Sequence, residues 1–189
     1  MSNLLLKGPE VVYPDGSTTV ADIAITDDLI VHMGMIPDNW RPDTILDCTN
    51  LLAVPGFINA HTHAAMTLFR GYADDMLLMD WLQNKIWPIE EALTPDDIYW
   101  GTLLAIAEMI KSGTTTFADM YFFMPEVAKA VAESGIRAVL ARGIAGSAPN
   151  GEAALAENVQ FFHDFHNTAQ GRIKVMLGPH APYTCPPDF

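Results

Sequence analysis

The sequence predicts an α/β chain: residues 55–189 form the first half of a (β/α)8 (TIM-type) barrel, strands 1–4, and residues 1–54 form a small β subdomain ahead of it. Three observations carry this expectation. Up to about residue 54 short apolar runs alternate with turn residues; beyond Pro55 each helical stretch ends at a glycine and a β-rich run follows at once; and those runs close on polar side chains.

In the first part the runs are Leu4–Leu6, Glu10–Tyr13, Ala21–Ile25 and Leu29–Met33, with Pro14-Asp15-Gly16 and Asp27-Asp28 as turns. A loop, Pro37–Pro42, precedes extended structure at Thr44–Cys48 and Leu51–Val54. Ala53–Ile58 is read as the first barrel strand. The clearest helix starts at Thr94-Pro95-Asp96-Asp97, with Thr94 as N-cap, Pro95 at the first helical position and acids in the first turn. Its apolar face is expected through Ile98, Leu103, Ile106 and Ile110, and Gly113 ends it before the strand Thr114–Asp119. A second helix, about Pro125 to Ser134, stops at Gly135 and gives way to Ile136–Arg142. A third, about Gly151 to Ala169, stops near Gly171 and gives way to Ile173–Gly178.

Helix–glycine–strand units in series imply a parallel sheet with crossover helices. A doubly wound sheet would fit the same grammar but normally carries a glycine-rich phosphate turn after an early strand, which this sequence lacks. In a barrel the chemistry sits at the C-terminal ends of the strands. The polar residues there are His61 and His63, Asp119, Arg142 and His180.

Bulk properties narrow the partners. Ten Lys+Arg against 23 Asp+Glu give a net charge of -13, which repels nucleic-acid backbones and anionic lipid surfaces. The start of the chain lacks a secretory leader pattern, and no uncharged stretch approaches a bilayer span, so a cytoplasmic protein is expected. Two cysteines, Cys48 and Cys185, without a CxxC pattern, point to neither a disulfide framework nor a thiolate zinc site.

In extended structure residues two apart share a face, so His61 and His63 can converge on one cation, and neutral imidazole favours zinc and similar metals. Spacing alone leaves ordinary packing open, because a metal needs further ligands. Context adds to it. Val54-Pro55-Gly56-Phe57-Ile58-Asn59-Ala60-His61-Thr62-His63 resembles the first barrel strand of the amidohydrolase superfamily. Ala64–Gly71, Asp74-Asp75, Trp81-Leu82, Trp87-Pro88-Ile89-Glu90, Ser112–Thr116 and Gly178–Tyr183 resemble the branch containing 5-methylthioadenosine/S-adenosylhomocysteine deaminases and related chlorohydrolases.

The resemblance implies a hydrolytic deaminase of adenosine-type nucleosides, releasing the inosine analogue and ammonia, with one divalent metal, commonly zinc, per complete chain. It implies His61 and His63 as metal ligands, Glu90 as acceptor for ribose hydroxyls, and Arg142 and His180 as substrate contacts. Trp81 is a candidate to pack against the base or ribose, though a tryptophan in Met79-Asp80-Trp81-Leu82 also suits a core. Asp119 stands open between supporting a ligand and ending a strand. The further His and Asp ligands and the proton-shuttling Glu of the family come from later strands, so no catalytic acid–base residue is expected within these 189 residues. Alone they are expected to be inactive, with a homo-oligomer or another association covering the open half-barrel.

One departure is that Gly151–Leu155 holds no second arginine of the kind some members use for a substrate carboxylate. The alternatives are a chlorohydrolase or a guanine or other base deaminase on the same scaffold, or a non-catalytic binding module. A binuclear cyclic-amide hydrolase fits less well, because its bridging lysine would stand where His180 does.

Overall fold

The computed structural model describes residues 2–189, which divide into two compact units between Pro55 and Gly56. The first unit holds seven short strands: β1 (Asn3–Lys7), β2 (Glu10–Val12), β3 (Thr18–Val20), β4 (Ile23–Thr26), β5 (Leu29–Met33), β6 (Thr44–Asp47) and β7 (Leu52–Ala53). They form two sheets, ordered β5-β4-β1-β6 and β3-β2-β7. Between β2 and β3, Asp15 Oδ1 accepts from both the backbone N–H and the hydroxyl of Ser17, at 2.9 and 2.7 Å. Val11, Ile23 and Ala24 are buried, whereas Leu29, Ile30, Ile45 and Leu52 stay exposed.

The second unit is a parallel sheet of β8 (Phe57–Thr62), β9 (Thr114–Tyr121), β10 (Arg137–Ile144) and β11 (Ile173–Val175), in that spatial order, with β12 (Gly178–Pro179) also on β10. A 3₁₀ turn (Ala64–Phe69) follows β8. Next come α1 (Leu78–Trp81), a π-turn (Leu82–Ile86) and α2 (Trp87–Glu90) in succession, then α3 (Pro95–Lys111). The crossovers after β9 and β10 are α4 (Met124–Ser134) and α5 (Gly151–Phe165). Strands neighbouring in sequence are neighbours in space, the order of a barrel wall.

The run Ala53–Ile58 is not one strand. Ala53 pairs with Val11 in the first unit, and the barrel ladder starts where Phe57 N–H donates to the Gly113 carbonyl at 2.9 Å. Pro55 separates the two, since proline has no N–H for a ladder.

Thr94 caps α3 through a reciprocal box: its backbone N–H donates to Asp97 Oδ2 at 2.8 Å and Asp97 N–H donates to the Thr94 hydroxyl at 3.3 Å. Gly113 (φ +85°) and Gly135 (φ +84°) stop α3 and α4 in the left-handed region that a side chain resists. The buried seam of α3 is rotated from the expected one: Ile98, Ala105, Ile106 and Met109 are buried, while Ile110 is exposed. The reason is the 3₁₀ turn, whose Ala65 carbonyl would sit 2.7 Å from a Cβ at Gly101 and so needs glycine there.

Other boundaries differ from expectation. β9 runs two residues beyond Asp119, β10 two residues beyond Arg142, α5 ends at Phe165, and the fourth strand is broken into β11 and β12. Asn167, Ala169 and Gln170 have positive φ, which no helix accommodates. Between the two broken segments Met176 N–H donates to Leu140 O at 3.0 Å. The core between sheet and helices is built on Phe117, Leu140, Ile98, Ile106, Val131, Phe161 and Ile173. Among the described residues no helix is long and apolar enough to cross a membrane.

Candidate active site at the strand ends

His61 is the penultimate residue of β8 and His63 follows the strand, with ring centroids 5.1 Å apart and planes at 77°. The His63 Nδ1 is 2.7 Å from the Met120 carbonyl. A carbonyl has no proton to give, so Nδ1 carries one, and in the neutral form of the ring the lone pair is on Nε2. The sheet register supplies this partner, because Thr62 stands opposite Asp119.

Asp119 anchors the same segment. Its Oδ1 accepts from Ala64 N–H at 2.8 Å, and the Thr62 hydroxyl lies 2.7 Å from Oδ1 and 2.8 Å from the Ala118 carbonyl. The residues on both sides of His63 are thus tied to one carboxylate, Thr62 by its hydroxyl and Ala64 by its backbone N–H. Asp119 is buried, which pushes its carboxyl above the usual range, against the pull of the Thr62 and Ala64 hydrogen bonds and the nearby His63 charge. Its Oδ2 has no hydrogen-bond partner among the described residues.

Glu90 closes α2, and its Oε1 accepts from the Tyr121 hydroxyl at 2.6 Å. Burial pushes the Glu90 carboxyl upward, opposed by the Tyr121 hydrogen bond and the His63 charge. The Tyr121 hydroxyl is pushed upward by burial and by Glu90, so the phenol keeps its proton and donates. Tyr121 also tilts against His63, with centroids 6.2 Å apart. Sequence reasoning missed Tyr121 because it ended the strand at Asp119. The alternation Phe117–Asp119–Tyr121, all three buried, is the period-2 signal that reaches it.

His180 follows β12 and its backbone N–H donates to the Ile144 carbonyl at 2.9 Å. The Thr184 hydroxyl, 3.1 Å from the Ala181 carbonyl, lies 2.9 Å from His180 Nδ1. Burial, then the charge of His63, holds His180 below the ordinary histidine range. His63, Glu90, Tyr121, Asp119 and His180 therefore form one electrostatic group at the strand ends.

Two expected substrate contacts stand apart from it. Arg142 donates from Nε to Glu157 on α5 at 2.7 Å and from a terminal nitrogen to the Gly143 carbonyl at 2.5 Å. Its guanidinium is engaged by the helix layer, the salt-bridged arrangement that a strand-end arginine beside an acidic helix adopts. Trp81 is half-buried at the end of α1, and among the described residues its ring contacts neither histidine nor Tyr121. A groove of about 530 Å³ borders β8 and touches Asn59, Thr62, His63 and Glu108 but neither Glu90 nor His180, so it is not the space those groups enclose.

No group of three or more His, Cys, Asp or Glu side chains that could hold a metal occurs among the described residues. His61 and His63 are the pair whose chemistry suits a transition metal: adjacent imidazoles, one with its tautomer set by a carbonyl.

A parallel barrel wall with paired histidines at the end of its first strand defines the class. Residues 52–189 match the model of the amidohydrolase family, and the chain belongs to that family. It is 64% identical to a 5-methylthioadenosine/S-adenosylhomocysteine deaminase from Syntrophomonas wolfei subsp. wolfei, covering 98% of this chain and 44% of that protein. With the protein of the same description from Desulfitobacterium hafniense (strain Y51) the identity is 54%, over 98% of this chain and 43% of the relative. Among solved structures, an adenosine deaminase from Xanthomonas campestris with bound zinc superposes with a TM-score of 0.86 at 32% identity, covering 97% of this chain and 44% of that one. The chain thus spans less than half the length of the relatives it matches.

Proposed function

We propose that these residues are the N-terminal part of a metal-dependent deaminase acting on adenosine-type nucleosides such as 5-methylthioadenosine and S-adenosylhomocysteine. The observation that carries the reading is the joining of a histidine pair, with the tautomer of His63 set by a carbonyl, to a half-buried carboxylate within one group at the strand ends. His61 and His63 would hold the divalent metal, with zinc, as in the adenosine deaminase from Xanthomonas campestris, the first expectation. When bound, such a metal supplies the Lewis acidity that makes water nucleophilic near neutral pH.

The chain's own residues do the rest of the positioning. The Met120 carbonyl holds the His63 proton on Nδ1, and Asp119 holds the segment around His63 through Thr62 and Ala64. Glu90, an acceptor when ionised, receives hydrogen bonds from the ribose hydroxyls. His180, whose charged form is disfavoured by burial and then by His63, offers its remaining ring nitrogen to the substrate. In this reading the remaining ligands and the acid–base carboxylate come from later strands, and the sheet edges at β8 and β11 are covered by them or by another copy.

The test is ammonia release by the complete enzyme. Adenosine and 5-methylthioadenosine should be deaminated by a preparation holding close to one divalent metal per chain, and Glu90→Ala should weaken transition-state stabilisation for these nucleosides by about 1–3 kcal/mol. Activity in a metal-free preparation, or turnover of guanine or a chlorotriazine with none of adenosines, would overturn the reading.

A further inference from the structure

Tyr121 bridges the two ends of the site. Its ring is 6% exposed and stacks on Phe122 with centroids 4.1 Å apart, so the position of its hydroxyl is set by strand β9 and not by solvent. From there it donates to Glu90 Oε1 at 2.6 Å, and among the described residues no other side chain hydrogen-bonds to that carboxylate. We propose that Tyr121 is a positioning residue for nucleoside recognition: it holds Glu90 by Oε1 and leaves Oε2 to accept from the sugar hydroxyls. The inference rests on Glu90 being the hydroxyl acceptor.

The physical reason lies in the setting of Glu90. It is the last residue of a continuous helical run, 78–90, whose middle turn is of π type, and its side chain has three rotatable bonds that the helix end does not fix. A charge-assisted hydrogen bond from a rigid phenol selects one rotamer before substrate arrives. The same bond favours the ionised carboxylate against the pull of burial, and only the ionised form accepts without donating. Because the Tyr121 ring also lies 6.2 Å from that of His63, one residue sets the spacing between the hydroxyl acceptor and the histidine pair.

Tyr121→Phe keeps the buried ring and removes only the donor. In the complete enzyme it should raise KM for adenosine roughly tenfold and leave kcat within about twofold, because binding and not the chemical step loses the interaction. With 2′,3′-dideoxyadenosine, which lacks the hydroxyls, wild type and Tyr121→Phe should be equal. Glu90→Ala/Tyr121→Phe should be no worse than Glu90→Ala alone, since one residue acts through the other. If Glu90→Ala leaves the adenosine KM unchanged, the Glu90 reading fails and this one with it. If Glu90→Ala raises KM but Tyr121→Phe does not, or the two losses multiply, the positioning role alone is overturned. An equal Tyr121→Phe loss on the dideoxynucleoside overturns it too, and comparison of the two substrates on one variant separates recognition from damage to the fold.

Discussion

Replacing Asp119 by alanine removes the acceptor that ties the backbone around His63. Two donors address Asp119 Oδ1, but they do not lose equally. The Thr62 hydroxyl retains the Ala118 carbonyl at 2.8 Å, whereas Ala64 N–H, buried and 2.8 Å from Oδ1, has no substitute. An unpaired buried N–H costs about 1–3 kcal/mol, and this is the loss expected for Asp119→Ala. Asp119→Asn keeps an oxygen at the Oδ1 position and exchanges an oxygen that has no hydrogen-bond partner, on a carboxyl for which burial already disfavours the charge. It should therefore stay within about 1 kcal/mol of wild type. The assay is urea unfolding of the metal-stripped complete enzyme, which keeps metal linkage out of the comparison. Equal losses for the alanine and asparagine variants would show that the charge and not the acceptor matters. An alanine variant as stable as wild type would show that the anchor carries nothing.

Thr94→Ala should destabilise the protein by about 1 kcal/mol through loss of the α3 cap, measured by thermal or urea unfolding. Its partner Asp97 is held below the usual carboxylate range by the Thr94 hydroxyl, then by the Thr94 backbone. The linked stability is therefore present above the unfolded-state value and lost as pH falls through the folded one, so the gap between wild type and Asp97→Asn should close in acid. Gly101→Ala sets a gain of about 1 kcal/mol in helix propensity against a contact 2.7 Å from the Ala65 carbonyl, a backbone atom that cannot swing aside. Overpacking of about 1–3 kcal/mol should win, and a lower melting temperature than wild type checks it. His63→Ala should abolish metal retention after dialysis, read by elemental analysis, and metal content equal to wild type would contradict the ligand role.

Much of this was legible in the chain because the signals are local. Thr94-Pro95-Asp96-Asp97 announces a helix start within four residues, glycines at 113 and 135 announce the stops, and the two-residue spacing of His61 and His63 places both on one strand face. The resemblance to the amidohydrolases was carried by equally local runs. Tertiary structure decided what these groups touch. Glu90 and Tyr121 are 31 residues apart and Ala64 and Asp119 are 55 apart: the second pair meets because β8 and β9 run parallel, with register shifts along the pairing, and the first because α2 brings Glu90 to the end of β9. A one-residue slip would turn Asp119 and Tyr121 to the other face; the alternation Phe117–Asp119–Tyr121 says which face is buried, but not which residues of β8 stand opposite. The same holds for Arg142, a strand-end arginine by sequence, whose charge α5 claims through Glu157. Chain connectivity put both on neighbouring elements, and the packing of helix on sheet brought Arg142 to Glu157.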